Sequence, residues 1–446
     1  MLNKIYNRQW ASFTRRLFLC IFLSILSVSM SSCRRSQHQH RQNLSLQELQ
    51  PDSIMQLYHA KGFSISYYPS YKRVEVFNPW GGKSAVYYLY HTAENAASAE
   101  SAASATECSA CSAANQAVEQ TVAQSVERAV AQSVEQTVAQ SVERAVAREP
   151  GALAVRIPLQ SVALSSCSHV AMLDALSLLS VVKGVCNPHL VYNQQIQEMR
   201  LQGFVQDLGD NFSLNAEKVL ALRSQAFFKT SYGQFDNKTA FLQESGLPVV
   251  EVNEWMEADL LARAEWIRFV AAFFDKEAQA DSIYCETMRS YHALKDLAAG
   301  DDSNKKSILP GENFRGTWYV PGGRSYMAQL FRDAGGDYLY ASDSTSGSLS
   351  LNVERVLRDM SQSDVWVGVS AADKQDLASK DPRYALFSAF KQGEVYAYDR
   401  AITPEGGNDF WETAVVHPEY LLSDFVKLLH PQLLPEQQWY YLRKLH

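Results

Sequence analysis

TWYVPGGRSYMAQLFRDAGGDYLY, Thr317 to Tyr340, is the stretch on which the reading of the fold turns. Trp318 to Val320 is aromatic and β-branched, Pro321-Gly322-Gly323 interrupts it, and Ser325 stands where an N-cap belongs, ahead of a helix carrying Met327, Leu330 and Phe331. Gly335-Gly336 ends that helix. A strand, a glycine loop and a helix start form the corner of an open α/β sheet, where ligands bind outside the carboxyl ends of the strands. Trp318, Tyr319, Arg324 and Tyr326 gather at this corner.

The same alternation extends upstream. Val155 to Leu164 reads as a strand, Ser165-Ser166-Cys167-Ser168-His169 as its polar exit, and Val170 to Leu179 as the helix that follows. Lys183 to Cys186, Ala226 to Phe228 and Pro248 to Val252 are further strands. They are separated by helices at Ser213 to Leu222, capped by Ser213, and at Asn237 to Glu244, stopped by Gly246. Such spacing implies βαβ units on a mainly parallel sheet. Glu254 to Ala299 then contains neither glycine nor proline. Ala262 to Phe274 is apolar, and Lys276 to Leu297 is amphipathic, with Ile283, Met288, Tyr291 and Leu294 spaced for one face. A second α/β body starts near Ser307. It includes the strands Val365 to Val369 and Val395 to Tyr398, and closes with a helix from Pro418 to Leu429. Near the start, Phe63 to Tyr68, Val74 to Phe77 and Ala85 to Tyr90 read as a hairpin or meander.

The N-terminus carries Lys4, Arg8, Arg15 and Arg16 ahead of the apolar run Leu17 to Val28, ending at Met30-Ser31-Ser32-Cys33. This is an export signal. Small residues before a cysteine resemble a bacterial lipoprotein cleavage site, which makes Cys33 the lipidated residue and the polar tract from Arg34 a tether. Loss of the signal moves the formal charge from −7 to −11, since four cations and no carboxylates go with it. An acidic body is a poor partner for nucleic acid. Cys108, Cys111, Cys167, Cys186 and Cys285 remain, an odd number that argues against a disulfide framework.

From Val118 to Glu149 an eight-residue unit recurs: VEQTVAQS, VERAVAQS, VEQTVAQS, VERAVARE. Valine at every fourth position advances about 40° per step on a helix, so the stripe winds round it and suits packing poorly. The segment 93–151 therefore reads as a low-complexity insertion without a ligand role.

With two α/β bodies and one long helix, the chain resembles the periplasmic solute-binding proteins of ABC importers that take up ferric siderophores, haem or cobalamin. SSCSHVAMLDAL (165–176), ARAEWIRFV (262–270), the Thr317 to Tyr340 segment and GGNDFWETAVVHPEYLLSDFVKLLHPQL (406–433) carry the resemblance. It implies an α/β fold of two lobes with mainly parallel sheets joined by a single backbone helix, with ligand held in the cleft between the lobes. On that template 1–33 is the signal, 34–51 the tether, 52–274 the first lobe interrupted by 93–151, 275–300 the spanning helix and 307–446 the second lobe. The cleft would then be lined by Ser168, His169 and Tyr232 from the first lobe, and by Trp318, Arg324, Tyr326, Asn408 and Trp411 from the second. Flat aromatic faces suit a conjugated or chelate ligand, and an arginine pairs with its anionic oxygens. The family docks on its permease through one acidic residue per lobe, and Asp236 and Glu354 match by position.

The resemblance implies a monomeric receptor in the periplasm or cell envelope, tethered to a membrane, working with an importer permease and ATPase. It implies no cofactor of its own, the chelate being cargo. The alternatives are a bare zinc or manganese receptor and a surface scaffold lipoprotein. The strand exits offer only His169 as a histidine, where a closed metal site needs several strong ligands; His169 could instead be axial to haem iron. No G-x-S-x-G, P-loop or H-E-x-x-H is present, and Glu405, Asp409 and Glu412 lack a nucleophile, so no enzyme is expected.

Overall fold

The computed structural model describes residues 50–92, 136–233, 237–301 and 305–446. In a small unit, Ser53 and Ile54 pair antiparallel with Tyr67 and Ser66. The other unit, Met55–Ile65 with Ser70–His446, contains both α/β lobes.

The first-lobe sheet has five parallel strands in the order Val249–Glu251, Ala226–Lys229, Val162–Leu164, Val182–Val185, Gln206–Asp207. Its central strands are apolar on both faces, as a sheet covered on both sides requires. The second-lobe sheet has Ile308–Pro310, Val365–Val369 and Val395–Ala397 in parallel, with Arg443–Lys444 antiparallel at one edge.

Several expected elements are displaced. Val155 to Leu164 is not one strand: Leu153–Arg156 pairs with Ala85–Tyr90, whereas Val162–Leu164 enters the parallel sheet. Pro158 lies between them and has no N–H for either ladder. The helix expected from Val170 runs Cys167–Ala175, because Ser166 caps it by accepting from Ser168 N, and Ser177 at φ 59° ends it early. The helix expected from Ser213 runs Ala216–Ala221 under an Asn215 cap; Ser213 closes a preceding turn capped by Asp210. Glu254 to Ala299 is broken into Glu254–Met256, Leu260–Ala272 under an Asp259 cap, and Glu277–Ala299.

The Thr317 to Tyr340 segment also differs from its reading. Thr317–Pro321 is the middle strand of a separate antiparallel sheet, between Asn313–Phe314 and Ser348–Leu351, so it is not a corner of the parallel sheet. The missed signal was Arg315-Gly316, both at positive φ, the two-residue turn of a hairpin. The helix that follows behaves as expected: Ser325 accepts from Ala328 N, and Gly335 at φ 76° ends it. Trp318 is wholly buried. Its ring centroid lies 5.7 Å from Trp366, 5.8 Å from Tyr384 and 5.5 Å from Phe387, and its Nε1 donates to Pro310 O at 2.9 Å. The strand's alternation turns Trp318 into the core and leaves Tyr319 exposed.

The repeat is corrected in part. Residues 136–148 form a helix whose Val138, Val142, Ala145 and Val146 pack on Tyr71, Val86, Tyr88, Tyr90 and Ala152. Over so short a helix the valine stripe drifts too little to leave one face. Ala85–Tyr90 and Leu153–Arg156 are parallel, and parallel neighbours require a crossover; this helix lies within that connection.

The 23-residue helix Glu277–Ala299 spans the lobes. It packs on Leu260–Ala272 of the first lobe and on Pro418–Leu429 of the second. Tyr284 Oη meets His59 Nδ1 at 2.6 Å on one side, and Tyr291 donates to Asp333 Oδ2 at 3.0 Å on the other.

Trp318→Ala is expected to lower the unfolding free energy by about 3–5 kcal/mol in a urea melt, the usual cost of deleting a buried indole. An indole serving as a solvent-facing ligand wall would cost well under ~1 kcal/mol.

Candidate functional site

The carboxyl ends of the first-lobe strands gather one group of side chains. Ala226–Lys229 exits into Thr230 to Gly233, Val249–Glu251 exits into Asn253 to Trp255, and Val162–Leu164 exits into Ser165 to His169. Thr230 N donates to Ser165 Oγ at 2.8 Å and Ser231 N to Asn253 Oδ1 at 3.0 Å, so the three exits are stitched together. Trp255 Nε1 donates to Ser231 O at 3.2 Å, which fixes its indole.

Around this base runs a chain of partly exposed rings. Phe212 and Tyr232 are 4.9 Å apart, Tyr232 and Trp255 5.4 Å, and Trp255 and Trp80 6.2 Å. Gly233 lies under the Trp80 ring, where a Cβ would stand 2.7 Å from the indole; its φ of 73° is a second reason for glycine there. Tyr232 was the only one of these rings read from the sequence as a binding group. Trp80 sits in the Asn78-Pro79-Trp80-Gly81-Gly82 turn, far away in sequence, and Trp255 lies at the start of the glycine- and proline-free region Glu254 to Ala299, in a short helical turn.

The deeper residues of the exit are structural. Ser168 is buried and its hydroxyl meets Ser166 Oγ at 2.8 Å. His169 is fully buried, with Nε2 3.3 Å from Thr230 Oγ1, and burial lowers its pKa so that it stays neutral. Both expectations as ligand contacts are corrected, because the exit turns directly into a helix and carries these side chains into the core. Trp318 is likewise corrected as a ligand contact, because the strand's alternation turns it into the core. Burial pushes the Cys167 thiol up to about 12, which removes it as a nucleophile.

The second lobe contributes a loop. Trp411 is about half exposed, edge-on to Phe410 at 4.6 Å, and its carbonyl lies 3.5 Å from Cys167 Sγ. Asn408 is a cap, accepting from Phe410 N at 3.0 Å. Tyr326 lies beneath the Arg263 guanidinium, 4.5 Å from its ring centre, and Arg263 makes no ion pair among the described residues. Arg324 is exposed, its backbone N–H held by Thr345 O.

Glu412 carries a polar link between the lobes. Its two oxygens accept from Tyr192 N at 2.7 Å and Asn193 N at 3.0 Å. Burial pushes its carboxyl up to about 8 against these donors, with Asp409 and Asp174 adding like charge. Arg200 and Glu405 add a more exposed bridge at 2.7 Å. Of the two docking carboxylates, Glu354 is exposed in the first turn of Val353–Met360 and pairs with Arg383 at 2.8 Å. Asp236 and Cys33 lie outside the described residues.

The family model described as periplasmic binding protein matches residues 162–401, more than half of the chain, from the Val162–Leu164 strand to just before the Asn408 to Glu412 loop. The chain belongs to this family. Its members are the extracytoplasmic receptors of ABC importers, so the partners are a small-molecule ligand and an importer permease. An uncharacterized lipoprotein of Methanocaldococcus jannaschii is 26% identical over 298 residues, 65% of this chain and 70% of that protein. An uncharacterized protein of the same organism is 20% identical over 287 residues, covering 62% of this chain and 83% of its own. Among solved structures, a periplasmic heme binding protein from Pseudomonas aeruginosa superposes with a TM-score of 0.50 at 16% identity, over 65% of this chain and 98% of that one. This last likeness shows a shared fold. No helix among the described residues is long and apolar enough to cross a membrane.

The raised Glu412 carboxyl sets a pH dependence for this binding protein. Between about 4.5 and about 8 the folded chain holds a proton that the unfolded chain has released, so stability falls as pH rises through that window. Melting temperatures from pH 5 to 9 should decline more steeply for the native protein than for Glu412→Gln, which stays neutral throughout; parallel curves would contradict this.

Proposed function

We propose that the protein captures an iron chelate, a ferric siderophore or haem, or else cobalamin, between its lobes and delivers it to the permease of an ABC importer. The observation that carries this reading is the aromatic chain Phe212, Tyr232, Trp255 and Trp80 at the first-lobe strand exits; the half-exposed Trp411 is the second-lobe ring assigned to the other side of the ligand. Four adjoining rings offer an extended polarisable surface that a small sugar or amino acid would not fill, whereas a flat conjugated or chelate ligand would. Arg263 and Arg324, cations without ion-pair partners among the described residues, are the groups for its anionic oxygens, with Tyr326 oriented by Arg263. The Pseudomonas aeruginosa protein of the same fold is a periplasmic heme binding protein, in keeping with this ligand class.

In this reading the lobes are 52–274 and 307–446, joined by 275–300. Cys33 carries the lipid, and Asp236 and Glu354 meet the permease. The chain acts as a monomer.

Titration with haemin, a ferric hydroxamate siderophore and cobalamin, followed by visible absorption and thermal shift, tests the proposal. One of the three should shift the spectrum and raise the melting temperature. Trp255→Ala and Tyr232→Ala should each weaken that ligand about tenfold or more, as loss of a stacking face predicts. Silence with all three, together with stabilisation by zinc, would replace it with the bare-metal reading. Arg263→Ala and Arg324→Ala should weaken an anionic chelate and leave uncharged cobalamin binding nearly unchanged.

A further inference from the structure

The helix 136–148 raises a question that the octapeptide repeat makes answerable. Residues 118–131 and 134–147 have the same sequence, VEQTVAQSVERAVA, so every residue that packs on the sheet from 136 to 147 has an identical counterpart sixteen positions earlier. Val138, Ser141, Val142, Ala145 and Val146 correspond to Val122, Ser125, Val126, Ala129 and Val130. Apolar packing on Tyr71, Val86, Tyr88 and Tyr90 therefore cannot distinguish the two copies. A shift of eight instead of sixteen would put Thr137 in the buried place of Ala145, so the degeneracy has a sixteen-residue period.

The copies diverge only in their last two residues, Arg148-Glu149 against Gln132-Ser133. Glu149 is the residue that makes directed contacts. Its Oε2 accepts from Arg73 Nε at 3.0 Å and from Tyr88 Oη at 2.8 Å, and its Oε1 accepts from Arg73 Nη2 at 2.6 Å. The paired Arg73 guanidinium holds the Glu149 carboxyl below its usual range. Glu75 braces Arg73 from the far side at 2.8 Å. Pro150 and Gly151 follow directly and end the helix.

We propose that the outer face of the Tyr71–Val76 and Ala85–Tyr90 strands is a docking surface for a sixteen-residue repeat unit, that either copy fits it, and that Glu149 selects the last one as a register lock. The crossover between parallel strands is then drawn from an interchangeable set. Its length can change by whole sixteen-residue units while the sheet keeps its cover, and a copy ending in a carboxylate is the one that seats.

Two deletions test this in the full chain. Removing 118–133 or removing 134–149 yields proteins of equal length that differ only in Arg-Glu or Gln-Ser before Pro150. Both should fold with equal helical circular dichroism, the second melting about 2–6 °C lower at pH 7. Because the Glu149 carboxyl is depressed in the folded state, its contribution is present above about pH 4.5 and is lost as pH falls further, so the two melting temperatures should converge in acid. A third chain lacking 118–149 should melt far lower and bind a hydrophobic dye through the uncovered tyrosines. If the 134–149 deletion behaves like this third chain, the earlier copy does not dock and the proposal fails. In the undeleted protein, Glu149→Ser should lower the melting temperature and adding Ser133→Glu should restore most of it. Absence of rescue would show a purely local ion pair and would overturn interchangeability.

Discussion

The helix Glu277–Ala299 is the constraint on which the remaining structure depends. Its buried residues Ala280, Tyr284, Thr287, Tyr291 and Ala298 fall on one side at intervals of three, four and seven, which makes a continuous stripe along about five turns. That stripe is shared. Tyr284 reaches His59 of the first lobe, while Tyr291 and Ala298 join the second-lobe core beside Phe331 and Phe425. Small residues at both ends allow close approach to Leu260–Ala272 and Pro418–Leu429. A single stiff rod packed in this way resists hinge bending, so motion between the lobes must be small and must be absorbed at its ends.

The ends are built accordingly. Before the helix, Asp275 sits at φ 55° and accepts from Lys72 at 2.9 Å, with His91 Nε2 2.7 Å away. After it, Asp301 meets His430 at 2.7 Å. The first lobe is anchored to the helical layer by Glu265, a buried carboxylate that receives the backbone N–H groups of Tyr58, His59 and Ala60 and the Arg268 guanidinium. A buried charge with so many donors is satisfied, and removing one side of such a set costs more than the set contributes as a whole. Away from the helix the lobes meet through Glu412 on two backbone amides, the Arg200–Glu405 pair, Arg263 over Tyr326, and Leu260 and Leu261, which join the second-lobe core.

The candidate site was legible in part. Tyr232, Trp411 and Arg324 are exposed where the sequence placed them, because each stands in a polar or glycine-rich exit that no core claims. Ser168, His169 and Trp318 were misjudged for one reason: proximity to a strand end does not say which way a side chain points. A helix that starts at Cys167 turns Ser168 and His169 inward, and a strand alternation that begins at Thr317 turns Trp318 inward. Trp255 and Trp80 were missed because Trp255 meets Tyr232 from a short helical turn downstream, and Trp80 meets Trp255 and Gly233 from a turn about 150 residues upstream, a juxtaposition with no local signature.

Sequence alone determined what depends on local chemistry and periodicity. Into this class fall the α/β alternation, the strand Val365–Val369, the helices Asn237–Glu244 and Pro418–Leu429, the Ser325 cap, the Gly335 stop, and the amphipathic spine. These follow from hydrophobic period, capping and glycine geometry, all of which act over a few residues. Tertiary structure alone decided which sheet a strand joins, which rings adjoin, and whether the repeat has a packing partner. The valine stripe of 136–148 is featureless by itself and becomes a crossover helix only because Val86, Tyr88 and Tyr90 present a matching face and Arg73 awaits Glu149. Burial is a property of the pair of surfaces, and no single segment encodes its partner's position.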